Sequence, residues 1–293
     1  MITRSVCATN DDQSERARTE ESWLKTWVTR IAVPRSRWHE PDANRRVEET
    51  IAASFAEMGY LVNVVGTSRN VIALPRGSHG PLAMVAAHFD SVPRSPGADD
   101  NASGVAALLR CARDAALLGV PARFVAFNAE EEGLVGSREF VASGLCADLG
   151  IREAHVLEMV GFRARGPQSQ RAPAGMRIAV PRIGDFLGLI ANGPSRGALS
   201  PVLRTAREGR GPALRTLEVL FGLESRVPDL LRSDHAPLWT AGIPAVLWTD
   251  TAEFRNPHYH RTTDTPATLD YAFLREVGDL LLATLVRENQ RAA

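Results

Sequence analysis

The residues of this chain able to do acid–base or metal chemistry fall in short clusters. They are His88-Phe89-Asp90, the glycine-bounded run from Gly97 to Gly104 with Asp99 and Asp100 inside it, Glu130-Glu131-Glu132, Glu158, Asp234-His235, and a closing stretch with His258, His260 and Asp264. Taken one at a time, each has an ordinary structural explanation. A lone histidine after an apolar run is usually a satisfied polar residue, consecutive glutamates usually form a solvated face, and paired aspartates in a glycine-rich turn usually bond their own backbone. Taken together they pose a conflict, because carboxylates gathered in one place repel one another and raise their own pKa values unless a cation neutralises them. Two imidazoles and three carboxylates suit zinc, with no cysteine cluster to compete. Five side chains exceed the three protein ligands of a single catalytic zinc. With one carboxylate shared, they supply three ligands to each of two ions about 3.5 to 4 Å apart, leaving open positions for a shared water. The chemistry expected is that of a two-metal hydrolase.

For the clusters to meet, the elements before them must end at one edge. Residues 81–87 (PLAMVAA), 122–127 (ARFVAF), 154–160 (AHVLEMV) and 244–248 (PAVLW) are near-continuous apolar runs, and helical patterns at 102–118 and 137–145 separate the first three. Such alternation predicts parallel strands buried on both faces, and ligands gather at the carboxyl ends of such strands. Each of these strands is followed by an imidazole or a carboxylate. Residues 21–33 and 43–58 are spaced as helices, 60–66 and 70–75 as adjacent strands or a hairpin, 176–180 and 217–221 as further strands, and 269–288 as a helix docking the C-terminus through Phe273, Val277, Leu281 and Leu285. The segment 163–174, rich in Arg, Pro, Gly and Gln, reads as an exposed loop placed to rim a site. The expected fold is α/β: a single domain over residues 19–293, with a mixed, mostly parallel central β-sheet flanked by helices on both faces.

Composition narrows the partners. Thirty-four basic and 34 acidic residues cancel, so no basic field gathers nucleic acid or anionic lipid. No apolar stretch approaches a membrane span. Cys7, Cys111 and Cys146 are odd in number and widely spaced, which suggests buried or incidental thiols. Residues 1–18 read as a flexible polar tail without the apolar core of a signal peptide, giving a cytoplasmic expectation.

The ordered segments HFD, PGADDNASG, FNAEEEGLVGS, LEMVGF, SDHAPLW and NPHYHRTTDTP, between residues 44 and 285, resemble the co-catalytic di-zinc aminopeptidases, a family that includes bacterial leucyl aminopeptidase-like and glutamate carboxypeptidase-like metallopeptidases. The resemblance implies a zinc-exopeptidase-like fold and two Zn2+ ions, with cobalt or manganese as other candidates. It makes Asp100 the bridging carboxylate, His88 and Glu158 the remaining ligands of one ion, and Glu131 and His260 those of the other. Glu130 matches the general base that takes a proton from a metal-bridging water. The family's cis peptide falls at Asp100-Asn101. Asp90, two residues from His88, is placed to accept that ring's other N–H. Asp264 is expected to do the same for His260 and Asp234 to brace the same site, while His235 and His258 are expected not to be ligands. Two departures stand out: a tyrosine that some relatives carry just before the SDH motif is absent from Asp229-Leu230-Leu231-Arg232, and no disulfide has a counterpart. The implied activity is removal of N-terminal residues from peptides. The alternatives are a zinc amidohydrolase or deacylase, a glutaminyl-cyclase-like acyltransferase, and a non-catalytic binding module that would lack some of these residues.

Overall fold

The apolar runs become strands, and their order is set by which faces they can bury. The computed structural model describes residues 10–78, 80–173, 180–219 and 227–292. Among them the elements are α1 (Asn10–Ile31), α2 (Pro41–Glu57), β1 (Leu61–Val65), β2 (Asn70–Leu74), β3 (Leu82–His88), α3 (Gly104–Leu118), β4 (Arg123–Phe127), α4 (Val135–Ala142), α5 (Leu145–Asp148), β5 (Ile151–Glu158), β6 (Leu187–Asn192), α6 (Arg196–Arg207), β7 (Leu214–Val219), α7 (His235–Thr240), β8 (Ala245–Thr249) and α8 (Tyr271–Ala292). The strands make one sheet in the order β1-β2-β4-β3-β5-β8-β6-β7. Its centre, β4-β3-β5-β8, is parallel, whereas β1 and β2 pair antiparallel as a hairpin and β6 runs antiparallel to β8. The expected single α/β domain with a mixed, mostly parallel sheet is the observed one.

Alternate residues of each central strand enter different layers, as the two-residue period of a strand requires. Ala83, Val85 and Ala87 of β3 join Phe124 and Ala126 of β4 in a core with α1, α2, α3, α6 and α8. Met84, Ala86, Val125 and Phe127 join Phe140 of α4, Cys146 of α5 and Leu238 of α7 on the other side. Cys111 and Cys146 are free, buried thiols; Cys7 lies outside the described residues. The C-terminal helix is anchored by a polar contact as well as by its apolar face. Trp248 Nε1 donates to His155 Nδ1 at 3.2 Å, which leaves the ring proton on Nε2, 3.1 Å from Glu288.

Several expectations need correction. The stretch expected as a tail contributes residues 10–18 to α1; residues 1–9 lie outside the described residues. The apolar stripe of α1 begins only at Trp23 and Leu24, so periodicity gave no signal upstream, but Glu20 pairs with Arg110 and Arg113 of α3 and holds this end down. Strand β6 and helix α6 were not expected, because Gly188 in the one, and Gly197 and Pro201 in the other, read as breakers. The strand expected at 217–221 lies at Leu214–Val219, and 220–221 fall outside the described residues, as does nearly all of the one expected at 176–180. The helix expected at 137–145 divides into α4 and α5 at Gly144, which is left-handed at φ 80°. No helix among the described residues is long and apolar enough to cross a membrane.

Phe124 is fully buried, with ring centroids 6.2 Å from Phe55 and 5.4 Å from Tyr60. Truncation to alanine leaves a cavity between α2 and the sheet, and F124A is expected to cost about 3–5 kcal/mol, read as a lower denaturant midpoint at unchanged slope.

Candidate metal centre

Four parallel strands end at one edge, and the turns beyond them carry the clustered residues. His88 is the last residue of β3, and the chain then loops to a turn at Ala98–Ser103 entered through Gly97 in left-handed backbone, φ 57°. Only glycine fits there, because a Cβ would lie 2.2 Å from the Asp100 carbonyl oxygen. The Asp100-Asn101 peptide is cis, as the resemblance implies. Asn101 ties this turn to the end of β5: its Nδ2 donates to Leu157 O at 2.8 Å, and its Oδ1 accepts from Met159 N at 3.2 Å, on either side of Glu158. Beyond β4 the left-handed Ala129 turns the chain so that Glu130 and Glu131 face the same place. His260 arrives from the loop after β8, also left-handed at φ 57°, with Tyr259 stacked on its ring at 3.7 Å.

Two groups of potential ligand atoms result, His88-Asp100-Glu158 and Asp100-Glu131-His260, each within 4.8 Å and sharing Asp100. His88 Nε2 lies 3.2 Å from Glu158 Oε2 and 3.4 Å from Asp100 Oδ1. His260 Nε2 lies 3.2 Å from Asp100 Oδ2 and 3.3 Å from Glu131 Oε2. The two Asp100 oxygens therefore face different imidazoles, the arrangement a bridging carboxylate needs. Buried His88 Nε2 and Glu131 Oε1 have no hydrogen-bond partner among the described residues. Orphaned buried polar atoms are costly, and divalent cations in the two groups would satisfy both. The donor set of imidazole nitrogen and carboxylate oxygen fits zinc.

The electrostatics express the same crowding. Burial, and then the charge of Asp100, pushes Glu131 up to about 7. Burial also raises Glu130 well above the usual carboxylate range, with Glu158 and Glu131 adding to it and His88 opposing. Asp100 goes the other way: its burial is outweighed by the two imidazoles, which hold it below that range. His260 is pushed up to about 10, because its contacts with Asp100 and Glu131 outweigh its own burial.

The surrounding carboxylates hold backbone. Asp90 lies 3.3 Å from His88 Nδ1 and accepts the N–H groups of Glu130 at 3.1 Å and Glu131 at 3.2 Å, so it links two of the converging turns. Asp264 was expected to orient His260; instead it accepts the N–H groups of Asp99 at 2.9 Å and Asp100 at 3.1 Å, bracing the bridging position. Asp234 makes no hydrogen bond to His260 and is buried within reach of the charges of His88 and Glu158. Burial pushes it up to about 7, with His88 opposing. His260 is flanked by the Tyr259 ring and sits in left-handed backbone. His235 donates from Nε2 to Leu230 O at 2.9 Å, and His258 Nδ1 meets Thr263 Oγ1 at 3.0 Å, so neither joins the cluster.

The sequence reading passed over Ser233, which donates to Glu158 Oε2 at 2.8 Å, and Tyr259, whose hydroxyl accepts from Arg232 at 2.9 Å. Their adjacency to Asp234 and His260 was the available signal. A cavity of about 700 Å3 opens from the cluster, lined on one side by Leu134, Ile190, Leu217, Leu230, Leu247 and Phe254 and rimmed by Gln170 and Arg171 of the loop expected there.

Because His260 keeps its proton up to about pH 10 and Glu131 up to about 7 without a metal, a cation must displace protons at neutral pH. Raised values mean proton-occupied ligands, so zinc affinity is expected to fall as the pH drops and to rise through the neutral range. Calorimetric titration in buffers of different ionisation enthalpy should register net proton release at pH 7, and identical heats in all buffers would contradict it.

Residues 70–285 match the family description Peptidase family M28. The Escherichia coli protein YfbL is 30% identical over 280 residues, covering 88% of this chain and 84% of that protein. Aminopeptidase YwaD of Bacillus subtilis is 30% identical over 241 residues, 75% of this chain and 44% of its own length. The probable lipoprotein aminopeptidase LpqL of Mycobacterium tuberculosis is 46% identical over 235 residues, 69% of this chain and 42% of its own. The chain thus spans under half the length of these last two. Among solved structures, the LapA aminopeptidase of Legionella pneumophila superposes with a TM-score of 0.72 at 17% identity, covering 98% of this chain and 78% of LapA. Glutaminyl cyclase of Porphyromonas gingivalis superposes at 0.70 with 22% identity, covering 92% and 98%; at such identities the likeness is one of fold. The matched span holds every clustered imidazole and carboxylate, and with the YfbL alignment it makes this chain a member of peptidase family M28.

Proposed function

We propose that this chain is a di-zinc aminopeptidase. The observation that carries the reading is the pair of three-residue groups meeting at Asp100, with His88 and Glu158 on one side and Glu131 and His260 on the other. Bound there, two divalent ions would polarise the scissile carbonyl and offset the charge that develops on its oxygen. Glu130 acts as general base: it is 8% exposed, with Oε2 4.0 Å from His88 Nε2, close enough to the cluster to take the proton of an attacking water and deliver it to the departing amine. Asp90 keeps His88 and the backbone of Glu130 and Glu131 in register. The carboxylate-rich cleft favours a substrate with a free α-ammonium group, and the apolar side of the cavity favours an apolar N-terminal residue. The names of YwaD and LpqL support the same activity.

The likeness to a glutaminyl cyclase keeps acyl transfer to N-terminal glutamine as the second reading. Leucyl and glutamyl anilides, an N-acetylated amino acid and a peptide with N-terminal glutamine separate the readings. Release from leucyl anilide is the expected dominant activity, and cyclisation outpacing it would favour the second reading. E130Q should keep its metal and lose about 10²–10⁴-fold in kcat, whereas D100A should lose metal as well, measured by metal analysis after dialysis. Equal metal loss in both variants would remove the case for distinct roles.

A further inference from the structure

The family match begins at residue 70, and the loop joining α1 to α2 lies ahead of it. That loop carries Arg35, whose side chain is wholly buried. The guanidinium donates to four main-chain carbonyls: Nε to Phe89 at 2.5 Å, Nη1 to Val33 at 3.1 Å and Pro96 at 2.5 Å, and Nη2 to Gly97 at 3.0 Å. Three of these acceptors belong to the connection from β3 to the Asp100 turn. Phe89 separates His88 from Asp90, and Pro96 and Gly97 lead directly into the turn. Among the described residues no carboxylate bonds the guanidinium, yet burying an uncompensated charge is expensive. Compensation comes through space: burial pulls its pKa down, and the nearby charges of Asp90, Asp100, Asp264 and Glu131 oppose that.

The backbone of Arg35 is itself held. Ser91 Oγ accepts the Arg35 N–H at 3.1 Å and donates to Ser95 O at 3.1 Å. Asn44 Nδ2 donates to Arg35 O and to Asn128 Oδ1, both at 2.9 Å, which extends the connection to the turn bearing Glu130 and Glu131. A side chain without a fork could not reach acceptors on both flanks of the β3 connection.

We propose that Arg35 is a positioning residue for the metal centre, pinning residues 89–97 so that His88, Asp90 and Asp100 converge; the inference rests on the two-ion reading above. Its positive charge by itself repels a cation, so the pinning is what favours metal. R35K separates the two, since it keeps the charge and loses the fork. S91A loosens the same junction with little loss of volume. Zinc affinity of the folded full chain is to be measured by chelator competition, with kcat and KM on leucyl anilide at saturating zinc. R35K is expected to bind zinc about 100-fold more weakly and S91A about 10-fold, with kcat falling in the same order and KM held within about twofold. If both variants bind zinc like the parent at unchanged kcat, the proposal is overturned even where melting temperatures fall. Should R35K not accumulate as folded protein, S91A decides alone. A parent chain that takes up fewer than two ions would instead sink the two-ion reading, and the inference with it.

Discussion

Carboxylates held together at low dielectric must be neutralised, and the rest of this structure is arranged around that need. Asp90, Asp99, Asp100, Glu130, Asp234, Asp250 and Asp264 are all buried near the carboxyl edge of the sheet, with Glu131 and Glu158 beside them. Repulsion among them grows as water is excluded. The chain answers with oriented donors. Asp90 and Asp264 each receive two backbone N–H groups, Asp99 receives Gly161 N and Asn256 Nδ2, and Asp250 receives Phe162 N and Ala252 N. Those four carboxylates are spoken for by the protein. Asp100, Glu131 and Glu158 instead face the two imidazoles.

The sheet makes the gathering possible because parallel strands deliver their carboxyl ends to one side. The turns then depart from regular backbone where a side chain must be re-aimed, at Gly97, Ala129 and His260, all with positive φ. Rigid strands fix where each turn begins, and hydrogen bonds between turns fix where it goes. Asp90 joins the β3 and β4 turns, Asn101 joins the Asp100 turn to β5, and Asp264 brings in the segment after β8. The centre is therefore supported from several strands at once, and the cavity beside it takes its apolar lining from β6, β7 and β8 together with Leu134, Leu230 and Phe254 of the loops around them.

Much of this is legible in the amino-acid sequence. Strands β3, β4, β5 and β8 read as continuous apolar runs because both of their faces are covered. The candidate ligands stood out because each follows such a run, and six ordered segments carried a family likeness. What escaped shares a physical cause. Strand β6 exists because β8 and β7 pair with it on either side, and α6 tolerates Gly197 and Pro201 because Leu199 and Val202 bury against the core. Asp264 was assigned to His260 because the two are close along the chain, yet its partners are Asp99 and Asp100, 165 and 164 residues away.

The sequence by itself determined the set of reactive groups, the alternation of buried strands with helices, and the glycines that let turns reverse. These follow from side-chain chemistry and local periodicity, which need no knowledge of distant residues. Which carboxylates take backbone donors and which face the imidazoles was decided only on folding. So was the placement of Arg35 under the β3 connection. Both depend on donors brought together by long loop closures, and a one-dimensional pattern holds no distance across them.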